Sequence, residues 1–317
     1  MKLQELYGLF IELGRKNDPR SAEEIARVIK NNQKQFEEMK EMEKPYFDTE
    51  KLTNPYSDTR ILNGDLQTEV HSILAGVDME TQEIVLADRL REKGEKIDLV
   101  LAHHPEGRAQ AGLHNVMHMQ EDILVELGVP VNVAEGMLAS RISEVERNLL
   151  PLNHNRAVDA ARLLNLPFMC VHTPADNMVN TFLTKYFEEK KPETLNDVVK
   201  LLKGLEEYHE AAKIGAGPKI VVGKGPNRTG KIFVDMTGGT GGSEDAFTKM
   251  AIAGVGTVIC MHIGDKHRKK AEENHIHVII AGHMASDSLG LNLLLDEAEK
   301  KGVKIIPCAG LTRVKRS

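Results

Sequence analysis

The chain has no tryptophan, only 4% aromatic residues, and three cysteines in 317 residues. Those cysteines, Cys170, Cys260 and Cys308, stand singly in apolar runs without CxxC spacing, which excludes a disulfide scaffold and a cysteine-ligated zinc site. They read instead as small buried hydrophobes of a reduced compartment. No apolar run approaches the roughly 18 residues that a membrane span needs. The opening segment, MKLQELYGLFIELGRKNDPR, is too polar for the apolar core of a signal peptide, so a cytoplasmic protein is expected. Nor is there an excess of positive charge: the formal net charge of -6 gives no bulk electrostatic reason to bind nucleic acid or an acidic membrane. What is present is 41% hydrophobic and 28% charged residues, the mixture of a globular chain with a substantial core, and 13 histidines.

Residues 1–50 read as a helical N-terminal arm or oligomerisation element: Leu3, Leu6, Phe10 and Leu13 recur at helical spacing, Asp18-Pro19 breaks the pattern, and Ser21-Ala22-Glu23-Glu24 restarts it. From Ser72 onward short β-branched runs alternate with amphipathic stretches. The predicted strands are 73–78, 97–103, 168–172, 219–222, 231–235, 257–262, 277–281 and 304–307. Helices are predicted over 82–93, 116–127, 144–164, 243–253, 265–273 and 288–300. Apolar strands in this order imply an α/β fold, with parallel sheets covered by helices on both faces. A charged stretch, 188–217, ending in Gly215-Ala216-Gly217-Pro218, reads as a helical linker or insertion between a first lobe, 51–187, and a second, 218–317. Glycines 223, 225 and 230, with Pro226 and Asn227, mark a hairpin connection between two strands. The runs Ile97–His104 and His277–His283, both apolar strands ending in histidine, hint at a duplication.

Aligned by their last residues, the apolar strands repeat one event: LVLAHH ends in His103-His104, FMCVH in His172, TVICMH in His262 and VIIAGH in His283. Ligands of open α/β sheets bind outside the carboxyl ends of the strands. Delivering several imidazoles to that edge is the pattern of a metal site. Carboxylates follow at short spacing, Asp176 after His172 and Asp287 after His283. Mixed imidazole and carboxylate donors suit Zn, Fe, Mn, Co or Ni. The donors outnumber the needs of one tetrahedral ion, so two divalent ions are expected, as in dinuclear hydrolytic centres.

These motifs resemble the Nif-three-like family, also named GTP cyclohydrolase I type 2 homologues, from about Asn54 to Pro307. The segment Tyr56-Ser57-Asp58 through Gly64 is a loose version of the family's opening motif, and His103-His104-Pro105 matches its His-His-Pro. His172-Thr173-Pro174-Ala175-Asp176 matches His-Thr-x-x-Asp in full, and Gly282-His283-Met284-Ala285-Ser286-Asp287 matches its late Gly-His motif. The resemblance implies a two-lobed Nif-three-like fold and metal ligation by His103, His104, Asp176, His283 and Asp287. It also implies ring-shaped homohexamers and hydrolytic opening of a purine nucleotide. Asp287 stands where the family carries Glu, one methylene longer. Glu106-Gly107-Arg108 follow His-His-Pro where the family has apolar residues, and the longer interval before His172 contains His114 and His118.

For proton transfer the sequence offers Glu106 and His118. For the phosphate of a substrate it offers Gly239, Gly241, Gly242 and Ser243, in a glycine-rich turn that is either an anion cradle or simply a tight strand-to-helix connection. The function expected is a dinuclear metal-dependent hydrolase acting on a nucleotide or related phosphorylated substrate; the alternative is a non-catalytic metal-binding regulator or scaffold.

Overall fold

A computed structural model of the chain describes residues 1–316. The amino-terminal half contains helices α1 (Leu3–Lys16) and α2 (Ala22–Glu38), strands β1 (Arg60–Asn63) and β2 (Ser72–Gly76), α3 (Thr81–Glu92) and β3 (Leu99–Ala102). It continues with α4 (Gly107–Ala111), α5 (Met119–Glu126), α6 (Val131–Leu149), α7 (Arg156–Leu163), β4 (Phe168–Cys170) and α8 (Thr173–Lys190). Two further helices, α9 (Leu195–Lys203) and α10 (Glu206–Lys213), lead to β5 (Lys219–Val222) and β6 (Lys231–Asp235). The remainder is α11 (Ala246–Ile252), β7 (Val255–Cys260), α12 (Asp265–Glu273), β8 (His277–Ile280), α13 (His283–Lys300) and β9 (Lys304–Pro307).

β2 (SILAG) and β3 (LVLA) are buried along their whole length, which a sheet allows only where both faces are covered. They pair in parallel inside a five-stranded sheet of order β1-β4-β3-β2-β9, in which only β1 runs antiparallel to its neighbour. The second sheet, β5-β8-β7-β6, repeats the order with each number advanced by four, and again only its β5 edge is antiparallel. The duplication extends to the strand ends. Val171 N–H donates to Ala102 O at 2.9 Å, and Ala281 N–H donates to Cys260 O at 2.8 Å. His104 and His262 therefore occupy equivalent places, and so do His172 and Gly282.

This is the α/β architecture the sequence implies, with four differences. Residues 304–307, expected in the second lobe, form β9 and pair in parallel with β2 of the first sheet. Residues 219–222 and 231–235 are not a hairpin: β5 and β6 lie at opposite edges of their sheet, joined by a connection that runs past the strand ends. The first helix is no free arm, since Leu3, Leu6 and Phe10 are fully buried against Ile73, Leu99 and Leu101. α2 is the exposed element, burying only Ile25. The single helix expected over 144–164 is two, because Pro151 cannot supply the N–H a continuous helix needs. Among the described residues no helix is long and apolar enough to cross a membrane.

Candidate metal centre

The carboxyl ends of β3 and β4 and the first turns of α8 and α13 converge. His103 and His104 directly follow β3, His172 caps α8, and His283 opens α13. Asp176 and Asp287 each lie four residues after a histidine, one helical turn along, so each helix presents an imidazole and a carboxylate on one face. The abrupt passage from β8 into α13 depends on Gly282, whose φ of +123° is open to glycine and whose added Cβ would lie 2.7 Å from Ala216 O.

Three imidazoles are fixed through their Nδ1 atoms. His103 Nδ1 donates to Val171 O at 3.1 Å, His104 Nδ1 to Asp78 Oδ1 at 2.6 Å, and His172 Nδ1 to Asp58 Oδ2 at 2.8 Å. Carbonyl and carboxylate oxygens only accept, so in the neutral imidazoles the proton sits on Nδ1 and the Nε2 lone pair is the free one, the arrangement typical of metal-binding histidines. Fully buried Asp58 also accepts from Thr173 Oγ1 at 2.6 Å. Burial works against its charge, but the bonds from His172 and Thr173 outweigh it and hold its pKa below the ordinary carboxylate value.

At the centre lies Asp287, 1% exposed. Its Oδ1 is 3.5 Å from His103 Nε2, while its Oδ2 is 3.4 Å from both His104 Nε2 and His283 Nε2. Asp176 Oδ1 approaches His103 Nε2 to 3.4 Å, and Asp176 Oδ2 lies 3.8 Å from His172 Nε2. Both oxygens of Asp287, Asp176 Oδ1 and His103 Nε2 are buried without a hydrogen-bond partner. Leaving such atoms unpaired costs about 1–3 kcal/mol each. A cation among them removes that cost, so the donor set fits a metal. The donors form overlapping groups: His103, Asp176 and Asp287; His104, His283 and Asp287; and His103, His104 and His172. Burial opposes a positive charge on His103, yet the facing carboxylates Asp287 and Asp176 raise its pKa well above the ordinary histidine value. The cluster attracts a cation.

The structure is similar to that of a NIF3 superfamily protein from Sphaerobacter thermophilus, with a TM-score of 0.72 and 26% identity over 80% of this chain and 92% of that one. The chain has the fold of the NIF3 superfamily. Reduced HcgD from Methanocaldococcus jannaschii shares the fold of this NIF3-like chain at a TM-score of 0.50 and 15% identity, over 78% of this chain and 87% of that one. No protein-family model and no curated protein matches the sequence.

Beside the His/Asp cluster of the NIF3-like chain is a cavity of about 250 Å³, lined by His104, His172, Asp176, His262 and His283 at one part and by Asp235, Thr237 and residues 239–242 at another. His262 packs its ring against His283 with centroids 5.0 Å apart. The glycine turn is tied back through its carbonyls. Gln120 Nε2 donates to Gly238 O and Thr240 O, at 2.7 and 2.6 Å, and Arg141 Nε donates to Gly241 O at 3.0 Å. His267 Nε2 is 2.9 Å from Gly242 O. The N–H groups of Gly239, Thr240, Gly241 and Gly242 have no acceptor among the described residues. Ser243 lies apart from this wall, buried against Phe247 and Met250 in a neighbouring small pocket.

Glu106 and His118, the proton carriers suggested by the sequence, do not line the cavity. Burial, with Glu80 and Asp78 nearby, raises the Glu106 carboxyl to about 7, but it caps α4 outside the wall. His118 is exposed, with Nδ1 3.1 Å from Glu121. His114 faces Glu146 at 3.8 Å. The placement of Asp58 and Asp78 as anchors of the cluster imidazoles His172 and His104 is not foreseen from the sequence. Asp78 ends a predicted strand and Asp58 lies in the opening motif, so both carried a signal of position though none of role.

Proposed function

We propose that this NIF3-like protein is a dinuclear metal-dependent hydrolase acting on a nucleotide or a related phosphorylated substrate. The observation that carries the reading is Asp287, whose two buried, unpartnered oxygens face different sets of imidazole nitrogens. One ion held by His103, Asp176 and Asp287 and another by His104, His283 and Asp287 would use every orphaned donor. Imidazole and carboxylate donors favour Zn, Fe, Mn, Co or Ni. When bound, such ions lower the pKa of water and polarise a phosphoryl or carbonyl group. The chain itself supplies the rest. Val171 O, Asp78 and Asp58 hold the imidazoles in one tautomer, and the free N–H groups of residues 239–242 offer a cradle for a substrate phosphate. The proposal places the protein in the cytoplasm, in keeping with its three unpaired cysteines.

Metal analysis of purified protein after metal-replete expression tests this, together with Asp287→Asn and a screen of nucleotides and phosphoesters. About two equivalents per chain are expected, falling below one in the variant, with turnover of at least one ester by the wild type. A wild-type protein without metal sinks the dinuclear reading. Full metal occupancy with no turnover across the screen sinks the hydrolase and leaves a metal-binding regulator.

A further inference from the structure

On the wall of the cavity one hydroxyl has its direction fixed by the fold. Asn177 is fully buried on α8, directly after Asp176, and its Nδ2 donates to Gly14 O at 3.1 Å. A carbonyl oxygen only accepts, so the amide cannot be turned the other way round, and Oδ1 is the atom that faces Thr237. That oxygen accepts from Thr237 Oγ1 at 2.6 Å. The single proton of the threonine hydroxyl is thereby committed, and only lone pairs remain on Oγ1. Among the described residues no group donates to them, and Thr237 lines the cavity beside the His/Asp cluster.

The backbone around this hydroxyl is secured as well. Met236 N–H donates to Asn180 Oδ1 at 3.2 Å, which with the Asn177 bond holds the two residues after β6 against α8. Met236 is buried while Asp235 and Thr237 on either side of it are more open, the alternation of an extended chain, so both present themselves to the cavity. The exposed Asp235 carboxylate is a second group there that accepts without donating. Two residues beyond Thr237 begin the free N–H groups of residues 239–242. This wall therefore offers acceptors at one end and donors at the other. An ionised phosphate carries acceptors only and suits the donor end; a group that meets Thr237 must bring its own proton.

We propose that Thr237 is a specificity-determining residue that accepts a hydrogen bond from a ribose hydroxyl of the substrate, an inference that rests on the nucleotide reading above. No more than about 7 Å of extended chain separates Thr237 from Gly239, comparable with the reach of a ribose from its 5′-phosphate to its 2′- and 3′-hydroxyls. A nucleotide without those hydroxyls leaves Oγ1 unpaired against it, and a site built to bond a hydroxyl discriminates against the analogue that lacks one. Because Asn177 holds the threonine proton, Oγ1 cannot rotate to become a donor. An ether oxygen, a keto oxygen or a second phosphate is therefore disfavoured at this position.

The test titrates metal-loaded protein calorimetrically with the common ribonucleoside 5′-monophosphates and their 2′,3′-dideoxy counterparts, with kcat/KM replacing Kd for any nucleotide that is hydrolysed. Wild type should bind at least one ribonucleotide about 10-fold or more tighter than its dideoxy counterpart. Thr237→Val, which keeps the shape and removes the acceptor, should bring that ratio below about 3-fold with metal content unchanged, and Thr237→Ser should keep it. The ratio compares two ligands on one variant, so stability lost by leaving Asn177 Oδ1 unpaired does not enter it. Equal affinities within every wild-type pair, or a preference that survives Thr237→Val, overturn the role of Thr237 alone. A preference that depends on Thr237 in a protein that hydrolyses nothing removes the hydrolase reading and leaves this role standing. Metal-loaded wild type that binds no nucleotide overturns the nucleotide reading and this inference with it.

Discussion

Arg60 is a fully buried charge, and the approach to the candidate metal centre is folded around it. Its Nη1 donates to Tyr56 O at 2.6 Å and Thr59 O at 2.7 Å, and its Nη2 to Asp48 Oδ2 at 2.6 Å. The turn it ties carries Asp58, which anchors His172. Removing one member of a buried charged network strands the others, so Arg60→Leu should cost about 3–5 kcal/mol in urea unfolding. The pair also sets a pH dependence. Burial raises the Asp48 pKa, but the hydrogen bond and charge of Arg60 outweigh it and leave it lowered. A carboxyl lower in the folded than in the unfolded state stabilises above its unfolded pKa of about 3.9 and loses that contribution as pH falls through the folded value. Unfolding curves below about pH 4 should therefore lose less stability with acid in the Arg60→Leu variant than in the wild type. The candidate ligands at this scale were legible because each ends an apolar strand or follows such a histidine by four residues. His172's partner was not, since Asp58 is 114 residues away in sequence. Glu106 illustrates the converse: its proximity to His103-His104 in sequence suggested a role, but the chain turns into α4 and carries it away from the cavity wall.

Among the elements, the pairing of α8 with α13 decides how Asp176 meets Asp287. The helices touch where Gly290 passes Ala175: a Cβ on Gly290 would lie 2.3 Å from Ala175 O, a backbone atom that cannot swing aside. Gly290→Ala should separate the helices, destabilising the fold by about 1–3 kcal/mol. Because Asp176 and Asp287 ride on the two helices, metal affinity measured by competition with a chelator should fall too, while the conservative exposed change Leu163→Met leaves it unchanged. Helix and strand types were readable from period and β-branching. The supposed hairpin was not, because Gly, Pro and Asn supply the same turn chemistry to a two-strand reversal and to a connection crossing a whole sheet. Turn composition reports a change of direction, and the pairing partner is chosen by burial.

For the whole molecule, the centre is assembled from both halves of a duplicated sheet plan: His103, His104, His172 and Asp176 come from the first, His283 and Asp287 from the second. Metal binding should consequently favour the folded state as a unit. At free metal 100-fold above Kd the gain is about 2.7 kcal/mol per ion bound independently, and calorimetry should show Tm falling on chelation and recovering on readdition. A Tm indifferent to metal would contradict a centre spanning both halves. The two-lobed α/β plan was visible in the alternation of elements. The embedding of α1 was not, because an amphipathic helix shows which face it buries without showing against what.

Strand β9 lends this arrangement a consequence in time. During synthesis β2 emerges more than two hundred residues before Lys304–Pro307, its parallel neighbour. Until then its unpaired backbone is open to pairing with other chains. Contacts so distant in sequence also form slowly. A growing chain of this protein should thus be a candidate for chaperone protection of that edge throughout the making of its second half.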